Sequence, residues 1–279
     1  MKDISQYIPL DKSWMIRMGF LDMLNGYRDI LDCLDAQDST GDDLGALRGV
    51  VEGWATDNDI DVGESGTLYR FVRFALWKQN SDRKIIQRGT LRNRKICDNR
   101  EIVNWKLKEL LTLDNGTSQW ASASVLMGNK ERIENPPYKL GVTYGAKEHW
   151  KWERKSGRCW RPKYDETIEK QAMAYIDYLK TGKMVFNVNQ PEDYCFARAF
   201  DLITMQEGEK RWPHMIHHES SRFKETERAL ELAKKGIVDS KDHRVVQAIV
   251  MKYDGKIKVI HKDAVNKSWP LFWEFMKGE

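Results

Sequence analysis

The stretch Gly63-Glu64-Ser65-Gly66-Thr67-Leu68-Tyr69-Arg70-Phe71-Val72 is a glycine-containing turn that runs straight into an apolar helix. A helix that opens at a glycine leaves its first backbone N–H groups uncovered, and with the helix dipole these make a cradle for an anion. Taken alone, the turn reads at least as well as a plain connection. The helix is expected from about Gly66 to Trp77. Before it, residues 13–31 carry Met15, Met18, Phe20, Leu21, Leu24 and Ile30 at helical spacing. Residues 40–54 give another helix, with Asp42 and Asp43 in its first turn, where carboxylates complement the dipole.

Beyond it, helices are expected at 118–127, 165–180, 224–235, 245–251 and 269–276, with Gly182 and Gly236 closing two of them. Strands are expected at 184–188 and 257–260. The stretch 129–163, rich in Lys, Arg, Trp and Pro, reads as strand pairs and loops. Repeated α and β segments imply an α/β class. A boundary near Gly182 divides the chain into lobes at 12–182 and at 1–11 plus 183–279.

The 279 residues suffice for one large domain or two medium ones, and 41% hydrophobic content supplies real cores. Lys and Arg number 46 against 42 Asp and Glu, a net charge of +4 spread along the whole chain. That balance suits small anions and gives little support to a nucleic-acid binder, which concentrates its charge. The four cysteines, Cys33, Cys97, Cys159 and Cys195, form no Cys-x-x-Cys pair, so neither a disulfide framework nor a zinc knuckle is expected. No apolar leader core and no run of membrane-spanning length is seen, so a cytoplasmic setting is expected. His214, His217 and His218 invite a metal reading that Pro213 and the lack of carboxylate partners weaken.

Several segments pair cations with hydroxyls or acids. Asp11-Lys12-Ser13 leads to Arg17 one helical turn on; on its own, an N-cap with a solvated Arg is the better explanation. Thr117-Ser118-Gln119 precedes an Ala/Ser-rich helix. Lys224-Glu225-Thr226-Glu227-Arg228 is either a charged helix face or a ligand set, and Asp242-His243-Arg244 opens a helix. Lys267-Ser268-Trp269-Pro270 comes before an aromatic helix.

In their order, these segments resemble 5-enolpyruvylshikimate-3-phosphate synthase (3-phosphoshikimate 1-carboxyvinyltransferase) from one end of the chain to the other. The last three motifs are the most specific. The resemblance implies transfer of the enolpyruvyl group of phosphoenolpyruvate to the 5-hydroxyl of shikimate 3-phosphate, in aromatic amino-acid biosynthesis. It implies no cofactor and no metal, two small anionic substrates as partners, and a monomer. It also implies a two-lobed fold, the inverse α/β barrel of repeated βαβαββ units, closing on its substrates. The chain is shorter than the family norm, so one unit is expected to be missing from the C-terminal lobe.

Carried over by motif, Lys12, Gly66, Arg94, Gln119, Arg228, Arg244 and Lys267 would bind phosphoenolpyruvate. Ser13, Arg17, Thr117, Ser118, Gln119, Glu192, Ser220 and Lys224 would bind shikimate 3-phosphate. Lys12, Glu225 and Lys267 would handle protons, and a carboxylate from Pro191-Glu192-Asp193 would be the base, Glu192 ahead of Asp193. Two departures stand out: Glu64 replaces the family's Asn in the glycine turn, and Pro-Glu replaces Pro-Asp. Other readings are the same scaffold with a different acceptor, a non-catalytic anion-binding homologue, and a nucleic-acid module on 147–163.

Overall fold

The computed structural model describes residues 4–37, 39–56, 58–158, 161–217 and 222–278. The chain divides into two compact units, residues 10–163 and residues 1–9 with 164–279. Each has its own apolar core. Both are mostly helical with a few short strands, a mixed α/β construction.

The 10–163 unit begins with α1 (Lys12–Leu24), capped by the Asp11 carboxylate, which accepts from Trp14 N at 3.1 Å. α1 is buried nearly all round through Met15, Ile16, Met18, Phe20 and Leu21, as suits a helix central to its unit. The helix expected over 13–31 is broken, because Gly26 takes φ +74° and α2 (Asp29–Asp35) starts anew. α3 (Asp42–Trp54) packs on α1 and leads to β1 (Ile60–Asp61), α4 (Gly66–Lys78) and β2 (Ile85–Ile86). β1 and β2 are parallel, Ile60 opposite Ile85, with α4 as the crossover that parallel neighbours need. α5 (Leu107–Leu110), α6 (Gln119–Leu126) and α7 (Tyr138–Ser156) complete the unit, with α6 against α4 and α7 against α1.

α7 corrects the strands and loops expected over 129–163. Pro137 stands at its N-cap, Gly157 closes it at φ +69°, and Leu140, Thr143, Ala146 and Glu153 line its buried stripe. Lys, Arg and Glu are good helix formers, and here Trp rides on the same helix.

In the second unit, α8 (Glu166–Thr181) contributes Ile168, Ala172 and Tyr175 to the core of the C-terminal part. The division therefore falls between 163 and 164, not at Gly182, which only ends α8 at φ +69°. Met184–Val188, expected as a strand, forms none, and Val185 is 73% exposed. α9 (Tyr194–Ala199), α10 (Met205–Arg211) and α11 (Arg222–Ala233) follow. Then come β3 (Ile237–Val238), α12 (His243–Lys252) and β4 (Lys258–Val259), again a parallel pair joined by a helix, and finally α13 (Phe272–Lys277). Trp269 donates to the Tyr7 carbonyl at 2.7 Å, which ties the chain start into this unit.

The repeated βαβαββ units of an inverse barrel are not formed among the described residues. Each sheet is two strands of two residues. The apolar residues around them, such as Leu68, Phe71, Val72 and Phe74, are spent on helices rather than on alternating strand faces.

Candidate functional site

α4 begins where its sequence requires. Ser65 takes an extended backbone, and its hydroxyl accepts from Leu68 N at 3.4 Å, with Ser65 and Gly66 both buried. Around this mouth three segments converge. A Cβ on Gly66 would come within 3.0 Å of an Nη atom of both Arg70 and Arg94, so both guanidiniums lie against the glycine. Arg70 donates to Gln119 Oε1 at 2.7 Å, and Gln119 Nε2 donates to Thr67 Oγ1 at 2.9 Å. Thr117 and Ser118 lead into Gln119, whose backbone N–H donates to Thr117 Oγ1 at 3.4 Å.

Arg70 is held from behind by Asp114, 2.6 Å from its Nε, with both side chains nearly fully buried. The same carboxylate accepts from Trp120 Nε1 and from Cys97 N, each at 2.8 Å. Asp114 therefore orients one wall of the site. Neither Arg70 nor Asp114 stood among the sequence-derived ligands. Arg70 was legible as the fourth residue after Gly66, one helical turn on. Asp114 pairs across 44 positions, and no local pattern announces it.

Glu64 does not face this mouth. It is bound by Thr90, whose N–H and hydroxyl donate to its Oε2 at 3.1 and 3.0 Å. Gly89, at φ +46°, makes room: a Cβ there would stand 1.8 Å from Glu64 Oε1. The same Thr90 hydroxyl receives Arg94 at 3.5 Å, so the departure from the family pattern helps to seat Arg94.

The other residues expected at the shikimate-phosphate site of this unit are differently employed. Arg17 is 2% exposed and donates to Thr143 Oγ1 at 2.6 Å, Ser13 O at 2.7 Å, Lys139 O at 3.1 Å and Ser122 Oγ at 3.5 Å. Burial pushes its pKa down to about 10, against the pull of Asp11 and Tyr138. It pins α1 to α6 and α7. Ser13 offers Arg17 its backbone carbonyl, and Lys12 pairs with Asp43 at 2.9 Å.

In the second unit Glu225 and Arg228, expected on opposite jobs, bind each other through two hydrogen bonds of 2.9 and 2.8 Å. Ser240 donates to Glu225 at 2.6 Å, and Arg228 also donates to the Asp239 carbonyl. Burial works to raise the Glu225 pKa, but the hydrogen bonds from Arg228 and Ser240 outweigh it and hold the carboxyl below its usual range. Asp242 caps α12, accepting from Arg244 N at 2.9 Å and from Arg222 Nε at 2.9 Å. Burial opposes its ionisation, but the charges of Arg222 and His243 hold it far below the carboxylate range. Arg244 is thus delivered to the mouth of α12, Lys224 lies exposed on α11, and Lys267 ends the helical turn Lys262–Lys267, which packs on α12.

Asp193 is a loop fastener rather than a ready base. Its carboxylate accepts from Asn189 N and Gln190 N at 3.0 Å each and from Gln171 Nε2 at 3.2 Å. Glu192 is buried beside it, and its charge reaches Arg222. Ser220 lies outside the described residues, as does the His218 of the metal reading; no metal-holding cluster occurs among the described residues.

The arrangement gathers a helix start, two guanidiniums and an amide in one unit, with Arg70 engaged by Asp114, Gln119 and the Gly66 carbonyl and Gln119 by Thr67, and a self-paired acid–base set in the other. No family model, curated protein or solved structure matches the chain.

Proposed function

We propose that the chain is an enolpyruvyl transferase that moves the enolpyruvyl group of phosphoenolpyruvate to the 5-hydroxyl of shikimate 3-phosphate. The observation that carries this is the gathering of Gly66, Thr67, Arg70, Arg94 and Gln119 at the start of α4. A phosphate or carboxylate there would meet the positive end of the helix and the Arg94 guanidinium, beside an Arg70 that Asp114, Gln119 and the Gly66 carbonyl hold in place. Addition of the alcohol needs a base at the hydroxyl, the role the resemblance gives to Glu192, and an acid at the methylene, which falls to Lys267 because Arg228 and Ser240 hold Glu225 as a carboxylate. Loss of phosphate with one proton of the newly formed methyl group then yields the enol ether.

Phosphate release in the presence of both substrates tests the reading. Arg94→Ala is expected to lower kcat/KM by roughly 10²-fold, as loss of a charged donor to a developing anion does. A folded wild-type chain with no turnover at millimolar substrate would sink it.

One observation favours a second reading, a non-catalytic anion-binding protein: Arg228 is occupied by Glu225 and the Asp239 carbonyl instead of standing open. Calorimetry separates the two, since saturable binding of shikimate 3-phosphate without turnover selects the second.

A further inference from the structure

α6 has two ends, and the Gln119 cluster uses only the first. At the other end a cleft of about 140 Å³ opens between Val125, the 129–132 loop and α7. Its charged lining is Lys130, Arg132, Lys147 and Lys151 with Glu131 and Glu148, four positive groups against two negative. Both carboxylates are engaged: Glu131 accepts from Leu107 N at 2.9 Å, and Glu148 pairs with Lys151 at 3.1 Å and Arg132 at 3.6 Å. Lys147 donates to the Val125 carbonyl, and neither it nor Lys130 forms an ion pair among the described residues. Arg132 lies 4.4 Å over the Tyr144 ring, which holds its donors in place before any ligand arrives.

We infer that this cleft is a second oxyanion site, built for a phosphate group, free or at the end of a monoester. With about 10–15 Å³ of such space needed per water, the cleft has room for a tetrahedral anion and the waters around it. Burial, then the charges of Lys151, Arg132 and Lys78, hold the Lys147 ammonium below the usual lysine range, with Glu148 alone opposing. An anion in the cleft relieves that repulsion. Lys147 already covers the carbonyl end of α6, so the negative end of that dipole is met before the anion enters. α6 separates the two sites by about 10 Å, at about 1.5 Å per residue, so one phosphate cannot serve both. The inference does not depend on the enzymatic reading.

The test is calorimetric titration of the full chain with inorganic phosphate at low ionic strength and pH 8. Two classes of site are expected. Lys147→Gln should weaken one class about tenfold, the usual effect of losing a charge-assisted bond, and leave the class that Arg94→Ala removes. Should Lys147→Gln unfold the chain, the exposed pair Lys130→Gln with Arg132→Gln serves instead. Methyl phosphate binding as well as inorganic phosphate identifies a monoester as occupant, and binding of inorganic phosphate alone identifies the free ion; either upholds the site. A single class lost only in the cleft variants also upholds it, while removing the α4 reading. A single class lost with Arg94→Ala, or cleft variants that bind like wild type, overturns it.

Discussion

The segments 42–86 and 222–259 fold alike, each a helix, a two-residue strand, a second helix and a parallel second strand. They differ where the first strand hands over to the second helix. At α4 the cap is a neutral hydroxyl, Ser65, the neighbouring carboxylate of Glu64 is held by Thr90, and two guanidiniums approach Gly66. At α12 the cap is itself an anion, Asp242, and Arg222 is bound to it. A helix N-terminus favours negative charge in both cases. One unit answers with a carboxylate at the cap itself, and the other with a hydroxyl cap and an Asp114 that reaches Arg70 one turn further on. The same backbone thus carries either a charged cap that binds its own arginine or a neutral one, and the proposed anion site falls at the neutral cap.

The largest expected effect comes from the wall behind the open mouth. Asp114→Ala leaves Arg70, Trp120 and Cys97 N without their acceptor inside a buried pocket. Breaking a buried ion pair by removing one partner costs about 3–5 kcal/mol. Urea unfolding should show that loss, and phosphate affinity should fall with it. A variant of wild-type stability would remove Asp114 from its role.

Next is the closed mouth. Asp242→Ala deletes a cap and the partner of Arg222, whose side chain is 28% exposed, so water tempers the loss to about 2 kcal/mol. Phosphate should restore part of that stability, because the variant turns α12 into a mouth like that of α4. Equal insensitivity of wild type and variant to phosphate breaks the comparison. A smaller effect is expected from Gly66→Ala, whose methyl must displace two guanidinium ends from 3.0 Å. Phosphate binding should weaken about tenfold, while stability changes little, since Ala is the better helix former. Undiminished affinity, read by calorimetry, would show that the guanidiniums do not define the site.

What could be read from the chain follows the range of the interactions. The start of α4, the closures at Gly182 and Gly236 and the cap at Asp242 are set within four or five residues, and each lies where the pattern puts it. Arg17 was legible as a cation but not as a buried one, since Thr143 and Ser122, which receive it, come from helices more than a hundred positions away. The pairing of Glu225 with Arg228 is local, three residues along a helix, yet whether such a pair clasps itself or a ligand depends on Ser240 and Asp239 arriving from the next loop. α7 was missed because its many Lys and Trp mask a stripe of only Leu140, Thr143, Ala146 and Glu153.

The smallest expected effect is a difference in acid sensitivity between the two segments. Glu225 has a folded pKa below its unfolded value, so the folded state binds its proton less readily than the unfolded chain does. Its contribution is therefore fully present above about pH 4.5 and is lost as pH falls from there toward the folded value. Asp242 acts in the same direction and is lost only at still lower pH. At α4 the cap is the neutral hydroxyl of Ser65, and the neighbouring Glu64 is held by Thr90 rather than by a cap interaction. Amide exchange followed between pH 6 and 3 should thus show α11 and α12 losing protection before α4, by an amount on the order of 1 kcal/mol. Glu225→Gln, which keeps the shape but cannot titrate, should flatten that dependence in α11. Parallel loss in all three helices, or no change with Glu225→Gln, would mean that the internal anions do not distinguish the two mouths.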